Sequence, residues 1–279
     1  MALLRVEEVR RSAERRRFHE LGRVLFANEP RWAPPLLSYE RWLFSRRHPY
    51  RRDADVVRFL ARRGGAVVGR CCAHVRTGDD RGWFGAFECA DDAAAVAALV
   101  EAARDWLAER GCTSVTGPAT FTSADEAGVL VAGFEHPGGT GRPWHPPWYA
   151  EHLVEAGLES AGDMLRWRLP GEETGVVVAE GGPLPPHAGR FADSRLVLQA
   201  EAGAVAAVPD VSAVARTPSL RIRPPTEATI VRCEGDPSVL VPAMVNAAHL
   251  AGYRHVWAPW CPDDRVPDAV YRLCRQNWG

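Results

Sequence analysis

The chain of 279 residues contains no lysine, because all 34 of its basic residues are arginine. The absence of lysine excludes Schiff-base catalysis and lysine nucleophiles. Exclusive use of arginine also favours an origin in a GC-rich bacterium. The sequence contains neither His-Glu-x-x-His nor Cys-x-x-Cys, and it lacks the Gly-x-Ser-x-Gly motif of serine hydrolases. We therefore expect no metal ion and no serine-hydrolase chemistry.

Long apolar runs are missing as well. No run reaches the roughly 20 residues that span a bilayer, and the first residues lack the apolar core of a signal peptide. The 7 cysteines are odd in number, and mostly buried free thiols are typical of a reducing compartment. We expect a cytoplasmic protein with no membrane contact.

The net charge is only −1, but the charges are segregated along the chain. Residues 1–76 carry 18 arginines against 8 acidic residues, and residues 77–279 carry 16 against 27. The basic region could face an anionic ligand or RNA, or it could be a solvated surface that neutralises the acidic remainder. No nucleic-acid motif accompanies the arginines, so we expect a small-molecule substrate and consider nucleic acid an unlikely partner.

Residue patterns predict an α/β (α+β) chain that begins with a strand and two helices. Three antiparallel strands follow, with a hairpin signal at Gly64-Gly65. The predicted strands are 3–6, 56–62, 67–75, 83–89, 114–117, 164–169, 196–200, 204–208, 228–233 and 256–258. The predicted helices are 12–26, 39–44, 91–110, 148–156, 239–251 and 267–275.

One spacing of residues occurs twice, in Gly111, Val115, Gly117 and Pro118 and again in Gly252, Val256, Ala258 and Pro259. Each set follows an apolar helix, which itself follows a strand bearing a cysteine. This repeat predicts two copies of one strand–helix–strand unit. The Gly- and Pro-rich stretch 170–190 is predicted to link a domain at 1–169 to a shorter domain at 191–279.

Short motifs occur in a fixed order in the first domain. They are NEPRWAPPL at 28–36, VGR at 68–70, FGAFEC at 84–89, GP at 117–118, DEAG at 125–128 and PPWY at 146–149. Through these motifs and the order of its elements, the chain resembles a bacterial family of tandem GNAT-like proteins. The resemblance covers most of residues 1–169 and implies two GNAT-like domains in tandem, the second truncated.

In GNAT acyltransferases, the pantetheine arm of acyl-CoA lies in a gap between two strands, here 83–89 and 114–117. The resemblance implies that the backbone of Phe87, Glu88 and Cys89 lines this gap, and that acyl-CoA is a possible cofactor. The glycine-rich phosphate loop of the family is missing, however. Asp91 and Asp92 stand where the pyrophosphate would meet the helix amides. Like charges would oppose CoA there, so the sequence by itself assigns no cofactor.

Five residues are candidates for catalysis. Asp125 and Glu126 could supply a general base, since one carboxylate raises the pKa of another, although adjacent acids are also typical of a solvated turn. Glu88 is a candidate base or substrate ligand at the end of a strand. His145, held among prolines, could transfer a proton or act only as a structural cap. Tyr149 lies one turn before the place of the tyrosine that protonates the thiolate in many GNAT enzymes.

Four further residues, Cys89, Phe121, Trp144 and Trp148, are predicted to contact a substrate. Cys89 could be a nucleophile only if a partner lowered its pKa, and a buried apolar thiol is the alternative. The aromatic side chains could line a pocket for a planar ligand or pack in the core.

Three functions therefore stay open. The resemblance implies a small-molecule enzyme that transfers an acyl group from acyl-CoA to an amine or hydroxyl. The missing phosphate loop favours either a CoA-independent catalyst of cyclisation, hydrolysis or isomerisation in specialised metabolism, or a non-catalytic binding module. The second domain is expected to support the first or to form the surface of a homodimer.

Overall fold

The computed structural model describes residues 2–121, 126–169, 179–180, 193–210, 225–258 and 268–278. Its first half contains β1 (Leu4–Glu8), α1 (Ser12–Leu25), α2 (Leu37–Leu43), β2 (Ala54–Arg63), β3 (Ala66–Arg76), β4 (Arg81–Cys89), α3 (Ala93–Ala108), β5 (Ser114–Gly117), β6 (Ala119–Thr120), β7 (Glu126–Ala127), β8 (Val129–Ala132), α4 (Trp148–Glu155) and β9 (Glu159–Leu169). Its second half contains β10 (Ala179–Glu180), β11 (Val197–Ala200), β12 (Gly203–Pro209), β13 (Glu227–Gly235), α5 (Pro237–Leu250), β14 (His255–Ala258) and β15 (Ala269–Asn277). Short 3-10 turns at Pro49–Arg52 and Ser194–Leu196 precede β2 and β11.

Thirteen of the described strands form one mixed sheet, in the order β1-β2-β3-β4-β5-β15-β9-β14-β13-β12-β11-β10, with β8 also paired to β15. The short strands β6 and β7 form a separate hairpin. Most neighbours are antiparallel, but β4 pairs with β5, and β13 with β14, in parallel. A parallel pair needs a crossover connection, which α3 and α5 provide. The predicted α/β fold class is confirmed.

The predicted repeat is also confirmed, because β4–α3–β5 and β13–α5–β14 have the same arrangement. The turn after α3 contains Gly111 with φ of 81°, and the turn after α5 contains Gly252 with φ of 97°. Both angles lie in the left-handed region, where a residue without Cβ is favoured. The shared spacing in the sequence thus reflects one type of helix end, used twice. The truncation of the second domain and the domain boundaries remain predictions.

The last strand of the chain lies in the sheet of the first half. β15 is inserted between β5 and β9, with Cys274 opposite Gly117 and Tyr271 opposite Met164. β9 in turn extends beyond β15, and its last three residues pair with β14. Each half is therefore completed by a strand from the other half, and the antiparallel pair β9–β15 joins them.

The helix predicted at 267–275 is wrong, because β15 occupies Ala269–Asn277. The buried residues of this strand are Ala269, Tyr271 and Cys274, so the buried spacing changes from two to three residues. A spacing of three residues also suits a helix. The register with β9 shifts at the same place, because β9 has one extra residue between Gly162 and Ser160. Neighbouring strands on both sides decide the conformation instead.

Helices cover both faces of the sheet in the first half. α3 and α4 pack on one face, around buried residues such as Phe87 and Leu99. α1 and α2 pack on the other face, around Phe18 and Leu60. In the second half, a separate core forms under α5. None of the described helices is long and apolar enough to cross a membrane.

We expect the Tyr271→Ala substitution to lower the free energy of unfolding by about 3 kcal/mol, because it leaves a cavity where β15 contributes to the core of the first half. Urea unfolding followed by circular dichroism measures this loss. Arg275→Ala, on the exposed side of the same strand, is the matched control and should change stability by no more than about 0.5 kcal/mol. Equal, small effects of both changes would argue against the position of β15 in the core.

Candidate functional site

The candidate site lies where β4 and β5 part. The two strands pair from Arg81 opposite Ser114 to Trp83 opposite Thr116, and β5 ends at Gly117, which precedes a cis proline. The hairpin strand β6 then turns back against β4. A Cβ atom added at Gly85 would overlap the backbone carbonyl of Ala119. The gap expected between the strands is therefore occupied at this level by the chain itself.

A bulge in β4 turns one backbone amide toward this hairpin. Ala86 has a positive φ of 45°, and the register between β3 and β4 shifts beside it. The Ala86 N–H donates to Thr120 Oγ1 at 2.7 Å, and Thr120 Oγ1 donates to Glu126 Oε2 at 3.1 Å. The bulge amide is thus connected through one hydroxyl to a carboxylate whose side chain is 24% exposed.

His145 approaches the other oxygen of the same carboxylate. The backbone N–H of Leu130 donates to His145 Nδ1 at 3.1 Å, so Nδ1 carries no proton and the neutral ring holds its proton on Nε2. This Nε2 is buried, has no hydrogen-bond partner among the described residues, and lies 3.7 Å from Glu126 Oε1. The ring therefore presents a donor to Glu126. In this arrangement Glu126, rather than His145, is the group able to accept a proton.

Tyr149 lies at the end of β4. Its hydroxyl accepts the N–H of Cys89 at 2.7 Å and donates to the carbonyl oxygen of Cys89 at 3.1 Å. The side chain is fully buried, and burial raises the pKa of Tyr149 well above its usual value. A phenol held in this way is poorly suited to protonate a leaving group. Burial likewise raises the pKa of the Cys89 thiol to about 12, so the thiol stays protonated and unreactive.

Glu88 belongs to a buried charge network beneath α1. Arg70 forms ion pairs with Glu40 and, at 2.8 Å, with Glu88, while His19 Nδ1 lies 3.4 Å from Glu40. Burial opposes the ionisation of Glu40, but Arg70 and His19 outweigh it and lower its pKa. Burial dominates at Glu88 and raises its pKa to about 7, because Arg70 is shared with Glu40. Gly22 packs directly on the Glu88 carboxylate, where a Cβ would overlap it.

The predicted aromatic contacts fall on two sides of the sheet. Phe121 stacks on Tyr50, with ring centroids 4.6 Å apart, in the core beneath α1 and α2. Trp144 and Trp148 belong to the opposite core, where Trp144 Nε1 donates to the Phe134 carbonyl at 3.0 Å. These residues therefore do not line one pocket. Asp125 lies outside the described residues.

The start of α3 carries its own anion. Asp92 caps the helix by accepting the Ala95 N–H at 3.1 Å, and Arg63 binds the same carboxylate through two bonds of 2.7 and 2.8 Å. The hydrogen bonds from Arg63 lower the pKa of Asp92. Asp91 is paired with His152 Nε2 at 2.7 Å. A carboxylate thus lies at the N-terminus of α3, the positive end of the helix dipole, where a pyrophosphate would bind.

These contacts bear on whether acyl-CoA fits the first half. The amides of Ala86 and Cys89 are bonded to Thr120 and Tyr149, β6 fills the gap beside Gly85, and Asp92 closes the helix start. The residues present therefore do not fit acyl-CoA in the way that the resemblance implies. Among the described residues there is also no group of three side chains that could hold a metal ion.

A buried arginine connects the site to the second half of the chain. Arg142 forms ion pairs with Asp210 at 2.9 Å and with Glu227 at 2.8 Å, and its guanidinium lies 3.8 Å from the Trp257 ring centroid. Thr140 donates its backbone N–H to Asp210 at 2.9 Å. These contacts fix the segment that leads to His145. No local pattern in the sequence predicts these contacts, because the partners are about 70 residues or more apart.

Thr120 and Arg70 are the other site residues that the sequence analysis missed. Thr120 lies in the two-residue strand β6, where a hydroxyl has no distinctive pattern. Arg70 is 4% exposed and is one arginine among many in this region. Arg70 lies on β3, on the same face as Cys72 of that strand and opposite Leu60 on β2. This place within an apolar strand was the available signal of its burial. A charged residue inside an apolar strand indicates a buried ion pair.

Comparison with known proteins gives the class of fold. A tandem GNAT protein from the clavulanic acid biosynthesis pathway aligns over 99% of both chains, with a TM-score of 0.63 and 14% sequence identity. The glucosamine N-acetyltransferase region of a fungal multi-domain β-N-acetylglucosaminidase aligns over 99% of this chain and 38% of that one, with a TM-score of 0.64 and 11% identity. The chain therefore has the fold of the GNAT acyltransferase superfamily, in the tandem arrangement.

Two curated proteins are similar in sequence. Bacterial ceramide synthase of Caulobacter vibrioides is 35% identical over 183 residues, which are 62% of this chain and 47% of that protein. Protein YghO of Escherichia coli is 32% identical over 149 residues, which are 51% of this chain and 38% of that protein. The similarity thus spans less than half the length of either relative. No family model matches the chain.

The raised pKa of Glu88 makes a pH-dependent prediction. In the folded protein, ionisation of Glu88 places a charge in a buried position, which raises the pKa to about 7. In the unfolded chain, Glu88 ionises near its ordinary pKa of 4.5. Wild-type stability should therefore fall as pH rises from about 4.5 to about 7, by on the order of 3 kcal/mol in total. Glu88→Gln, which mimics the protonated form, should lack this loss.

Urea unfolding of both proteins at pH 5 and pH 8 measures the effect. We expect similar stabilities at pH 5 and a relative gain for Glu88→Gln at pH 8. A constant difference between the two proteins at both pH values would show that Glu88 has an ordinary pKa.

Proposed function

We propose that the chain forms amides by transferring an acyl group from an acyl thioester to the amine of a lipid-like small molecule, with release of the thiol. Three findings support the proposal. The fold is that of a superfamily of acyl-transfer enzymes. The relative with 35% identity is a ceramide synthase, and a ceramide is the amide of a long-chain amino alcohol. The first half also places a partly exposed carboxylate, Glu126, beside two side chains that hold it.

Glu126 is the residue on which the proposal depends. A protonated amine attacks the carbonyl carbon of a thioester only after it has lost a proton, and a fixed carboxylate is a suitable acceptor. The thiol then leaves as the amide bond forms, and the proton held by the carboxylate is available to it. Thr120 and His145 Nε2 each face one oxygen of Glu126 and orient it. The exposed part of Glu126 leaves room for the amine to approach. Thr120 and His145 thus act as positioning residues and Glu126 as the base.

A second function is favoured by the occupied gap between β4 and β5. Because Thr120, Tyr149 and Asp92 occupy the groups that would bind acyl-CoA, the first half could bind a small amine without an acyl donor. The protein would then be a binding module, or a catalyst that does not use CoA. The cytoplasmic location, a homodimer, the absence of a nucleic-acid partner and the domain limits at 169 and 191 remain predictions.

The first test is product formation. The purified chain is incubated with sphinganine and acyl-CoA donors of 2 to 18 carbons, chosen as probes, and N-acyl products are measured by mass spectrometry. We expect Glu126→Gln to reduce amide formation at least about tenfold, since the general base is removed. Glu151→Gln, an exposed glutamate on α4, is the matched control and should retain full activity. Equal activity of the two variants would exclude Glu126 as the base.

Calorimetric titration separates the two functions. We expect no low-micromolar binding of acetyl-CoA to the wild-type chain, because Asp92 already caps α3 and is bonded to Arg63. Binding of sphinganine without any amide product would favour the binding module. Tight binding of acetyl-CoA would show that the gap between β4 and β5 is open to a ligand, and would favour the standard GNAT mechanism.

A further inference from the structure

We propose that Arg15, Arg46, Arg51 and Arg58, called here the arginine cluster, form a binding site for a phosphate group. The cluster is independent of the proposed acyl transfer. It lies on the face of the sheet that α1 and α2 cover. Arg15 is on α1, Arg46 follows α2, Arg51 is in the 3-10 turn before β2, and Arg58 is on β2.

Contacts place Arg51 and Arg58 at β2, and the charges of Arg15 and Arg46 act on these two residues. Arg51 Nη2 donates to the carbonyl of Val56 on β2 at 3.5 Å, two residues from Arg58 and on the same face. The guanidinium of Arg58 lies 5.7 Å from the ring centroid of Phe18 on α1 and 5.6 Å from that of Phe44 after α2. Burial, followed by the nearby charges of Arg51 and Arg15, lowers the pKa of Arg58 to about 10. The pKa of Arg51 is lowered by burial and then by Arg46.

Phe18 provides an internal comparison, because two guanidinium groups pack on its ring. Arg70 lies 4.9 Å from the centroid and is neutralised by Glu40 and Glu88. Arg58 lies on the same ring but has no ion pair or hydrogen bond within the described residues. A partly buried charge without a counter-ion is costly. An external anion would remove that cost.

The carboxylates near the cluster have partners elsewhere. Glu40 and Asp55 act on Arg58 and Arg51 through their charges, but Glu40 is paired with Arg70 and Asp55 lies 3.4 Å from Arg110. Asp53 pairs with Arg76 at 2.5 Å, and Glu14 accepts the backbone N–H groups of Arg10 and Arg11. Within the described residues, Arg15 donates only to neutral oxygens, those of Arg10 and Ser12. The positive charge of the cluster therefore remains available to a ligand.

The ligand chemistry follows from the side chains. Planar guanidinium groups bind phosphate oxygens in pairs, and several of them around one point suit an anion with more than one negative charge. The Phe18 and Phe44 rings beneath Arg58 hold its guanidinium in place. A phosphate monoester in solution and the headgroup of an anionic phospholipid share this chemistry. The experiment distinguishes these two sources.

The full-length chain is titrated with glycerol 3-phosphate by calorimetry, at constant ionic strength with chloride as the competing anion. The second arm measures sedimentation with phosphatidylcholine vesicles, with or without phosphatidic acid. We expect Arg58→Gln to weaken binding at least tenfold in whichever arm binds. Arg254→Gln removes an exposed arginine in the second half and should change binding less than twofold.

Binding in the first arm identifies a soluble phosphate ester, and binding only to vesicles with phosphatidic acid identifies a lipid headgroup. Either result supports the site if it depends on Arg58. If Arg58→Gln does not fold, Arg51→Gln carries the same expectation, since Arg51 lies in the 3-10 turn before β2 and is only half-buried. Equal losses in the cluster variant and in Arg254→Gln, or no binding in either arm, would overturn the proposal.

Discussion

The antiparallel pairing of β9 with β15 is the interaction on which the rest of the structure depends. It joins two strand–helix–strand units, and each unit has a strand from the other half beside its own parallel pair. Without β15, β5 and β9 would both expose unpaired backbone groups to water in the middle of the sheet. The two halves are therefore coupled in folding, although their cores are separate clusters.

The same coupling reaches the candidate site. Arg142 is 2% exposed and Asp210 is fully buried, so this ion pair is shielded from water and from salt screening. It holds the segment before His145 against β12 and β13. His145 then faces Glu126 from one side while Thr120 faces it from the other. The second half thus contributes to the site by supporting it, without placing a described side chain beside Glu126.

Much of this arrangement was predictable from the sequence, because it depends on local patterns. The repeated spacing after Gly111 and Gly252 reflects helix ends that require a positive φ. The pattern at 267–275 predicts a helix, because the spacing of the buried residues in β15 changes from two to three between Tyr271 and Cys274. Pairing over a long sequence separation decides this element, and no local pattern records it.

The candidate site was predictable only in part. Glu126, His145 and Tyr149 lie close together, as their positions in the motifs indicated. Their chemical roles depend on single hydrogen bonds, such as the Leu130 N–H that fixes the proton of His145. The gap between β4 and β5 is filled because β6 packs against Gly85. Such details follow from the packing of the whole chain and have no counterpart in residue spacing.

The chain itself occupies the backbone groups of β4 that would bind acyl-CoA. Amide hydrogen exchange at Ala86 and Cys89, resolved by NMR spectroscopy with and without acetyl-CoA, measures whether these groups are free. Because these amides donate to Thr120 and Tyr149, both should exchange slowly in the free protein and should not change when acetyl-CoA is added. Rapid exchange in the free protein that becomes slow with acetyl-CoA would contradict the account.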